Sequence, residues 1–164
     1  MILGLTIPQF TLLHVIISFV GIFSGLAALL AWARGVWLPR TQALFLATTA
    51  LTSLTGFLFP VASVTPAFVT GIVATIVMVI ALIALYGFGG KGRARTVYAV
   101  TATISLWLNL FVLVVQSFLK VPALNALAPN GNEPPFAVAQ AIMLAGAVWL
   151  GWKLVRGGKT RAAA

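Results

Sequence analysis

The chain of 164 residues contains no cysteine, one acidic residue and one histidine. The absence of cysteine excludes disulfides, cysteine-ligated zinc, iron–sulfur clusters and thiol nucleophiles. Because Glu133 is the one acid and His14 the one histidine, few side chains remain for acid–base chemistry or metal ligation. No catalytic constellation is visible, and we expect a protein that is not an enzyme.

Charge is scarce as well. Charged residues make up 7% of the chain and hydrophobic residues 62%, whereas a soluble domain carries about 25% charged residues. So few charges cannot cover a surface that faces water, and the mean hydropathy is +1.13. We therefore expect the lipid bilayer to be the solvent of this chain.

Five apolar stretches are long enough to cross a bilayer as helices, which takes about 20 residues each. Segments rich in proline, glycine or charge separate them, such as RGVWLPR, GFGGKGRAR and LKVPALNALAPNGNEPP. The sequence thus predicts an all-α fold, a single domain formed by a bundle of five transmembrane helices with a short basic tail at 157–164. The predicted spans are 12–32, 41–59, 67–86, 96–118 and 136–155.

The basic residues alternate between the two sides of these spans. The segments after the first and third spans, together with the end of the fifth span and the tail, hold nine of them, whereas the opposite side carries Lys120 alone. Since basic loops stay in the cytoplasm, the N-terminus is predicted outside and the C-terminus in the cytoplasm. The net charge of +9 does not indicate nucleic-acid binding, because the charges are spread over loops. The nine are Arg34, Arg40, Lys91, Arg93, Arg95, Lys153, Arg156, Lys159 and Arg161.

Polar residues within the spans are the candidates for a binding site. Four of them have predicted depths in the outer half of the membrane, with Glu133 in the loop above: His14, Thr55, Gln116 and Gln140. They could share one polar pocket there, although the order of the helices around the bundle cannot be read from the sequence.

His14 is the candidate with the widest chemistry. A neutral imidazole can ligate haem or a metal ion, and it can relay protons near neutral pH. Bis-histidine haem requires a second histidine, which the chain lacks, and Met78 or Met143 could supply an axial sulfur instead. The alternative is that His14 simply hydrogen-bonds a neighbouring side chain or water.

Other polar and small residues are better explained by helix packing. An unpaired buried amide costs about 2–7 kcal/mol, so Asn109 is expected to bond a neighbouring helix, and Thr52 lies on the polar face of the second span. Gly21 and Gly25 form a GxxxG spacing that lets two helix backbones approach closely. We expect this contact within the bundle rather than between two copies.

Several stretches together resemble a group of small bacterial integral membrane proteins to which no activity is assigned. They are LHVIISFVGIFSGL (13–26), LFLATTALTSLTGFLFP (44–60), NLFVLVVQSFLKVPALNALAP (109–129) and EPPFAVAQ (133–140). The resemblance covers most of the chain. It implies a multi-pass fold and a bacterial inner-membrane location, and it implies no reaction.

Three functions fit these observations. The first is an accessory or structural membrane component without enzymatic activity or cofactor, whose partners are the bilayer and, as open alternatives, other membrane proteins or a second copy. The second is a quinone- or haem-associated electron-transfer subunit, for which His14 and Gln116 are the candidates. The third is a small transporter or channel, which the polar helix faces favour and the lack of a carboxylate in any span disfavours.

Overall fold

The computed structural model describes residues 1–60 and 66–159, and within them the regular elements are helical. The prediction of an all-α fold is confirmed. A π-helical turn, Ile83–Gly87, extends the third helix. The six α-helices are α1 (Ile7–Ala33), α2 (Pro39–Gly56), α3 (Pro66–Leu82), α4 (Gly92–Lys120), the short α5 (Pro122–Asn125) and α6 (Pro134–Lys159).

Four helical stretches are long and apolar enough to cross a membrane: Ile7–Ala33, Phe68–Gly87, Gly92–Lys120 and Pro134–Gly157. They correspond to the first, third, fourth and fifth predicted spans. The second predicted span forms α2, which has 18 residues and includes one arginine, one glutamine, one serine and five threonines. This polarity lowers its mean hydropathy, so α2 does not meet the same criterion and the fifth span stays a prediction.

The first helix begins earlier than the predicted residue 12 because a capping box precedes it. The backbone N–H of Gln9 donates to Thr6 Oγ1 at 3.4 Å, and Gln9 Oε1 accepts the backbone N–H of Thr6 at 3.0 Å. These bonds satisfy two backbone donors that a helix start otherwise leaves open. The spacing Thr-x-x-Gln is a sequence signal for this start, and the span prediction did not use it.

A glycine turn joins α1 to α2. Gly35 has φ of 90°, a conformation that residues with a Cβ rarely adopt. The N–H of Gly35 donates to the carbonyl of Trp32, and the N–H of Val36 donates to that of Ala31, both at 2.9 Å. This is the Schellman arrangement that ends helices, and the short connection lays α2 antiparallel beside α1.

The bundle is centred on α4, which packs against α1, α3 and α6, whereas α1 packs most extensively against α2. The main hydrophobic core lies where the C-terminal halves of α1, α3 and α6 meet the first halves of α2 and α4. Its fully buried side chains include Leu29, Phe45, Leu46, Tyr98 and Leu154.

The GxxxG spacing of α1 lies at the contact with α2. A Cβ added to Gly25 would come within 2.7 Å of the Phe45 ring, and one added to Gly21 within 3.2 Å of Thr48 Oγ1. Only glycine leaves room for this approach of the two helices.

Candidate functional site

His14 and Thr55 are brought together at the end of the bundle that holds the start of α1 and the end of α2. Nδ1 of His14 lies 2.8 Å from Thr55 Oγ1. The helices place them there because α1 and α2 are antiparallel neighbours, so the first turns of one face the last turns of the other. Of the four candidate ligand-binding residues, these are the two that bond each other directly.

The contact between His14 and Thr55 can form in two ways, because a threonine hydroxyl both donates and accepts. The Thr55 oxygen lies 2.7 Å from the carbonyl of Leu51 and 3.2 Å from that of Thr52. When the hydroxyl donates to these carbonyls, its oxygen accepts from an imidazole protonated at Nδ1, and Nε2 keeps a lone pair that can accept a hydrogen bond or a proton, or bind a metal. When the hydroxyl donates to Nδ1, the proton of the neutral imidazole is on Nε2.

One aromatic ring packs against the imidazole and is itself held by a second ring. Phe59 meets it edge-on with ring centroids 5.4 Å apart, and the fully buried Phe10 packs on Phe59 at 5.1 Å. The backbone of Gly56 approaches on another side, since a Cβ added there would lie 3.7 Å from His14 Cε1. His14 is half-buried in this apolar setting.

The other two candidates do not bond the histidine. Gln140 of α6 donates from Nε2 to the backbone carbonyl of Phe111 at 3.2 Å, which ties α6 to α4, and its buried Oε1 has no partner among the described residues. Gln116 is half-buried, and its amide makes no hydrogen bond within the part of the chain that the structure describes. The structure thus links His14 to Thr55 alone among the four.

Glu133 is occupied by its own loop. Its Oε1 accepts the backbone N–H of Asn130 at 3.0 Å and the side-chain amide of Asn130 at 2.8 Å, and Oε2 accepts the N–H of Asn132 at 3.1 Å. Desolvation acts to raise the pKa of this carboxyl, but the hydrogen bonds outweigh it and hold the pKa below its ordinary value. The carboxylate orders the turn that precedes α6.

Asn109 and Thr52 use their polar groups in different ways. Nδ2 of Asn109 donates to Thr49 Oγ1 at 3.2 Å, across the contact between α4 and α2. The Thr52 hydroxyl instead donates to the carbonyl of Thr48, one turn back in its own helix, at 2.9 Å. Thr49 is thus the threonine of α2 that bonds α4, and it was not among the residues predicted to do so.

A second buried polar contact joins α4 to α2 and was not predicted from the sequence. The Tyr98 hydroxyl donates to Gln42 Oε1 at 2.6 Å, and both side chains are 1% exposed. Trp32 lies against Tyr98 with ring centroids 5.5 Å apart, and the Gln42 amide nitrogen has no partner among the described residues. A glutamine in the first turn of a predicted span is the sequence signal that could have indicated this contact.

One of the two axial ligands considered for haem, Met78, does not lie beside His14. Met78 is 2% exposed and belongs to the core cluster of Trp32 and Tyr98, toward the other end of the bundle. Among residues 1–60 and 66–159, no three side chains of the metal-ligating types come together as a possible metal site.

The fold defines the class of the protein as an all-helical bundle in which four helices are long and apolar enough to cross a membrane. Comparison of the chain with protein-family models, curated proteins and solved structures gives no match.

Proposed function

We propose that the chain is a five-span protein of the bacterial inner membrane and acts there as an accessory or structural component rather than as an enzyme. The observation that carries the proposal is the orientation of α2. Its polar side chains Gln42 and Thr49 are 1% exposed and bond α4, whereas the large apolar side chains on its exposed face are leucines.

This arrangement, with polar side chains facing protein and leucines facing outward, supports α2 as the fifth span. Leu44, Leu51 and Leu54 are between 46 and 58% exposed, which suits contact with lipid. A helix of 18 residues is about 27 Å long at 1.5 Å per residue, close to the hydrocarbon thickness of about 30 Å. The low mean hydropathy of α2 reflects polar groups that face protein.

An accessory or structural role is supported by what the polar side chains do. Gln42 and Thr49 of α2 bond α4, Gln140 of α6 bonds α4, and Thr55 of α2 bonds α1. In lipid, such hydrogen bonds and close glycine contacts are main sources of helix association. Most polar groups of the spans therefore already have a structural use.

Labelling of single cysteines tests the five-span topology, and the cysteine-free chain needs no prior substitution. A cysteine added ahead of Met1, Lys91→Cys and Asn132→Cys report three segments, and the two substituted residues are exposed. We expect an impermeant thiol reagent on whole cells to label the N-terminal and Asn132→Cys positions but not Lys91→Cys.

The N-terminal cysteine separates five spans from four. If α2 does not cross the membrane, one crossing is lost between the N-terminus and Lys91, so these two positions lie on the same side. Labelling of both, or of neither, would therefore contradict the fifth span. Labelling of Lys91→Cys alone would keep five spans and reverse the orientation.

A quinone- or haem-associated role is the second candidate, and the observation that favours it is that His14 Nε2 has no hydrogen-bond partner among the described residues. The purified protein would then carry a Soret band or an extractable quinone, and His14→Gln would lose it. Nitrogen NMR of the single imidazole tests the contact with Thr55 separately from any cofactor. If no cofactor is found, we still expect the proton on Nδ1, where it can be donated to Thr55.

A further inference from the structure

The α6 helix is the least buried of the four stretches that are long and apolar enough to cross a membrane. Only 11% of its most apolar window is buried, against 22 to 44% in the other three. Part of its outward face forms a shallow apolar groove that runs toward the basic C-terminal end of the helix. The groove is lined by Ala141, Leu144, Ala145, Val148, Trp149 and Trp152.

Two cationic side chains lie at the C-terminal end of this groove, each over the ring of one of its tryptophans. Lys153 Nζ lies 5.0 Å from the centre of the Trp149 ring, and Arg156 Cζ lies 4.4 Å from that of Trp152. A ring face holds a cation in place without using its N–H donors. Both cations can therefore donate to an anion at the mouth of the groove.

We propose that this groove binds one anionic phospholipid of the leaflet at the basic end, with an acyl chain along Ala141–Trp152 and the phosphate between Lys153 and Arg156. The dimensions fit, because Trp152 lies 11 residues after Ala141, a rise of about 17 Å along a helix, and one leaflet of hydrocarbon is about 15 Å thick. The small side chains of Ala141 and Ala145 leave the space for the chain, and the tryptophans lie at the level of the headgroup.

Charge complementarity favours a lipid over a second copy of the chain. Two copies inserted in the same direction and docked through α6 would place their Lys153 and Arg156 side chains at the same depth, where they repel. The single acid, Glu133, lies at the opposite end of the same helix and is bonded to its own loop. An anionic headgroup supplies the negative charge that the chain lacks.

Fluorescence quenching in vesicles tests the proposal. The full chain is reconstituted in phosphatidylcholine that contains a small fraction of phosphatidylglycerol, with bromine on the acyl chains of one lipid or the other. Each basic residue near an anionic surface is expected to raise lipid affinity about fivefold, or about 25-fold for the pair. Brominated phosphatidylglycerol should therefore quench Trp149 and Trp152 at a much lower fraction than brominated phosphatidylcholine.

Matched variants separate the groove from the general positive charge. Lys153→Gln with Arg156→Gln should abolish the preference for phosphatidylglycerol, whereas Lys91→Gln with Arg93→Gln, which removes the same charge elsewhere, should retain it. Ala145→Phe should weaken quenching by filling the groove while keeping both cations. Trp149→Phe with Trp152→Phe gives the background of the remaining tryptophans.

Three results would overturn the proposal. They are equal quenching by both lipids, a preference that survives the loss of Lys153 and Arg156, and efficient disulfide formation between copies carrying Ala145→Cys, which would make a second copy the occupant. The inference rests on the proposed function only in that the chain spans a membrane. Symmetric vesicles offer the same lipid on both sides, so the quenching result does not depend on the orientation of the chain. Failure of the lipid proposal would therefore leave the cysteine-labelling result unchanged, and a reversed orientation would leave the lipid site unchanged.

Discussion

At the residue scale, the polar side chains of the bundle divide by where their hydrogen bonds go. The hydroxyl of Thr52 bonds its own helix, whereas Asn109 reaches Thr49 on another helix. A bond within one helix can be made by that helix alone, so its loss leaves the packing of the bundle unchanged. A bond between helices helps to set their relative rotation and depth.

Asn109→Leu is therefore expected to lower the free energy of unfolding in detergent by about 1 kcal/mol, the order measured for hydrogen bonds between membrane helices. Thr52→Val is the matched control and should change it by less than about half as much, because its hydroxyl bond lies within α2. Circular dichroism during denaturation in a mixed detergent measures both. Equal stability of the two variants would contradict the role of Asn109.

At the element scale, glycines at two places on the helix surfaces have opposite environments. Gly25 lies against α2, where an added Cβ would come within 2.7 Å of the buried Phe45 ring and 3.0 Å of Leu106. Gly146 of α6 faces open space, with no atom within 4 Å of an added Cβ. The same substitution at the two sites therefore separates helix packing from helix propensity.

Gly25→Ala should destabilise the protein by about 1–3 kcal/mol, because an extra methyl group in a close-packed contact forces the helices apart. Gly146→Ala should be neutral or stabilise it by up to about 1 kcal/mol, since alanine favours the helix over glycine. Thermal unfolding in detergent gives the two shifts. A Gly25→Ala variant as stable as Gly146→Ala would mean that α1 and α2 are not in close contact there.

At the scale of the whole molecule, Glu133 is the one residue whose side-chain carboxylate can be protonated in an acid titration. The pKa of Glu133 is lowered in the folded protein by hydrogen bonds from Asn130 and Asn132. Its stabilising contribution is therefore complete above the ordinary value of 4.5, and it is lost as the pH falls through the lower folded value.

Unfolding measured between pH 6 and pH 3 should show this loss in the wild-type protein. Glu133→Gln should be less stable than wild type at pH 6, and the difference should shrink toward pH 3, because both then carry a neutral side chain at this position. All other titratable groups are the same in both proteins, so their effects cancel in the comparison. A difference that does not change with pH would show that the charge of Glu133 is not what orders the loop.

The sequence by itself predicted a membrane environment and most of the secondary structure. Long apolar runs and few charges indicate membrane helices, because an exposed backbone in hydrocarbon must satisfy its own hydrogen bonds. Four of the five predicted spans are stretches that the structure shows to be long and apolar enough to cross. The alternating basic loops predict the orientation by a rule that depends on the order of residues alone.

Only the tertiary structure decided which polar groups meet. The distance between His14 and Thr55, the bond of Gln42 to Tyr98 and the separate position of Gln140 depend on how the helices are arranged and rotated around α4. Each helix forms locally from its own backbone bonds, so its presence can be read from a short stretch of sequence. Its neighbours are selected by the fit of side-chain surfaces from distant parts of the chain, and no local pattern records that fit.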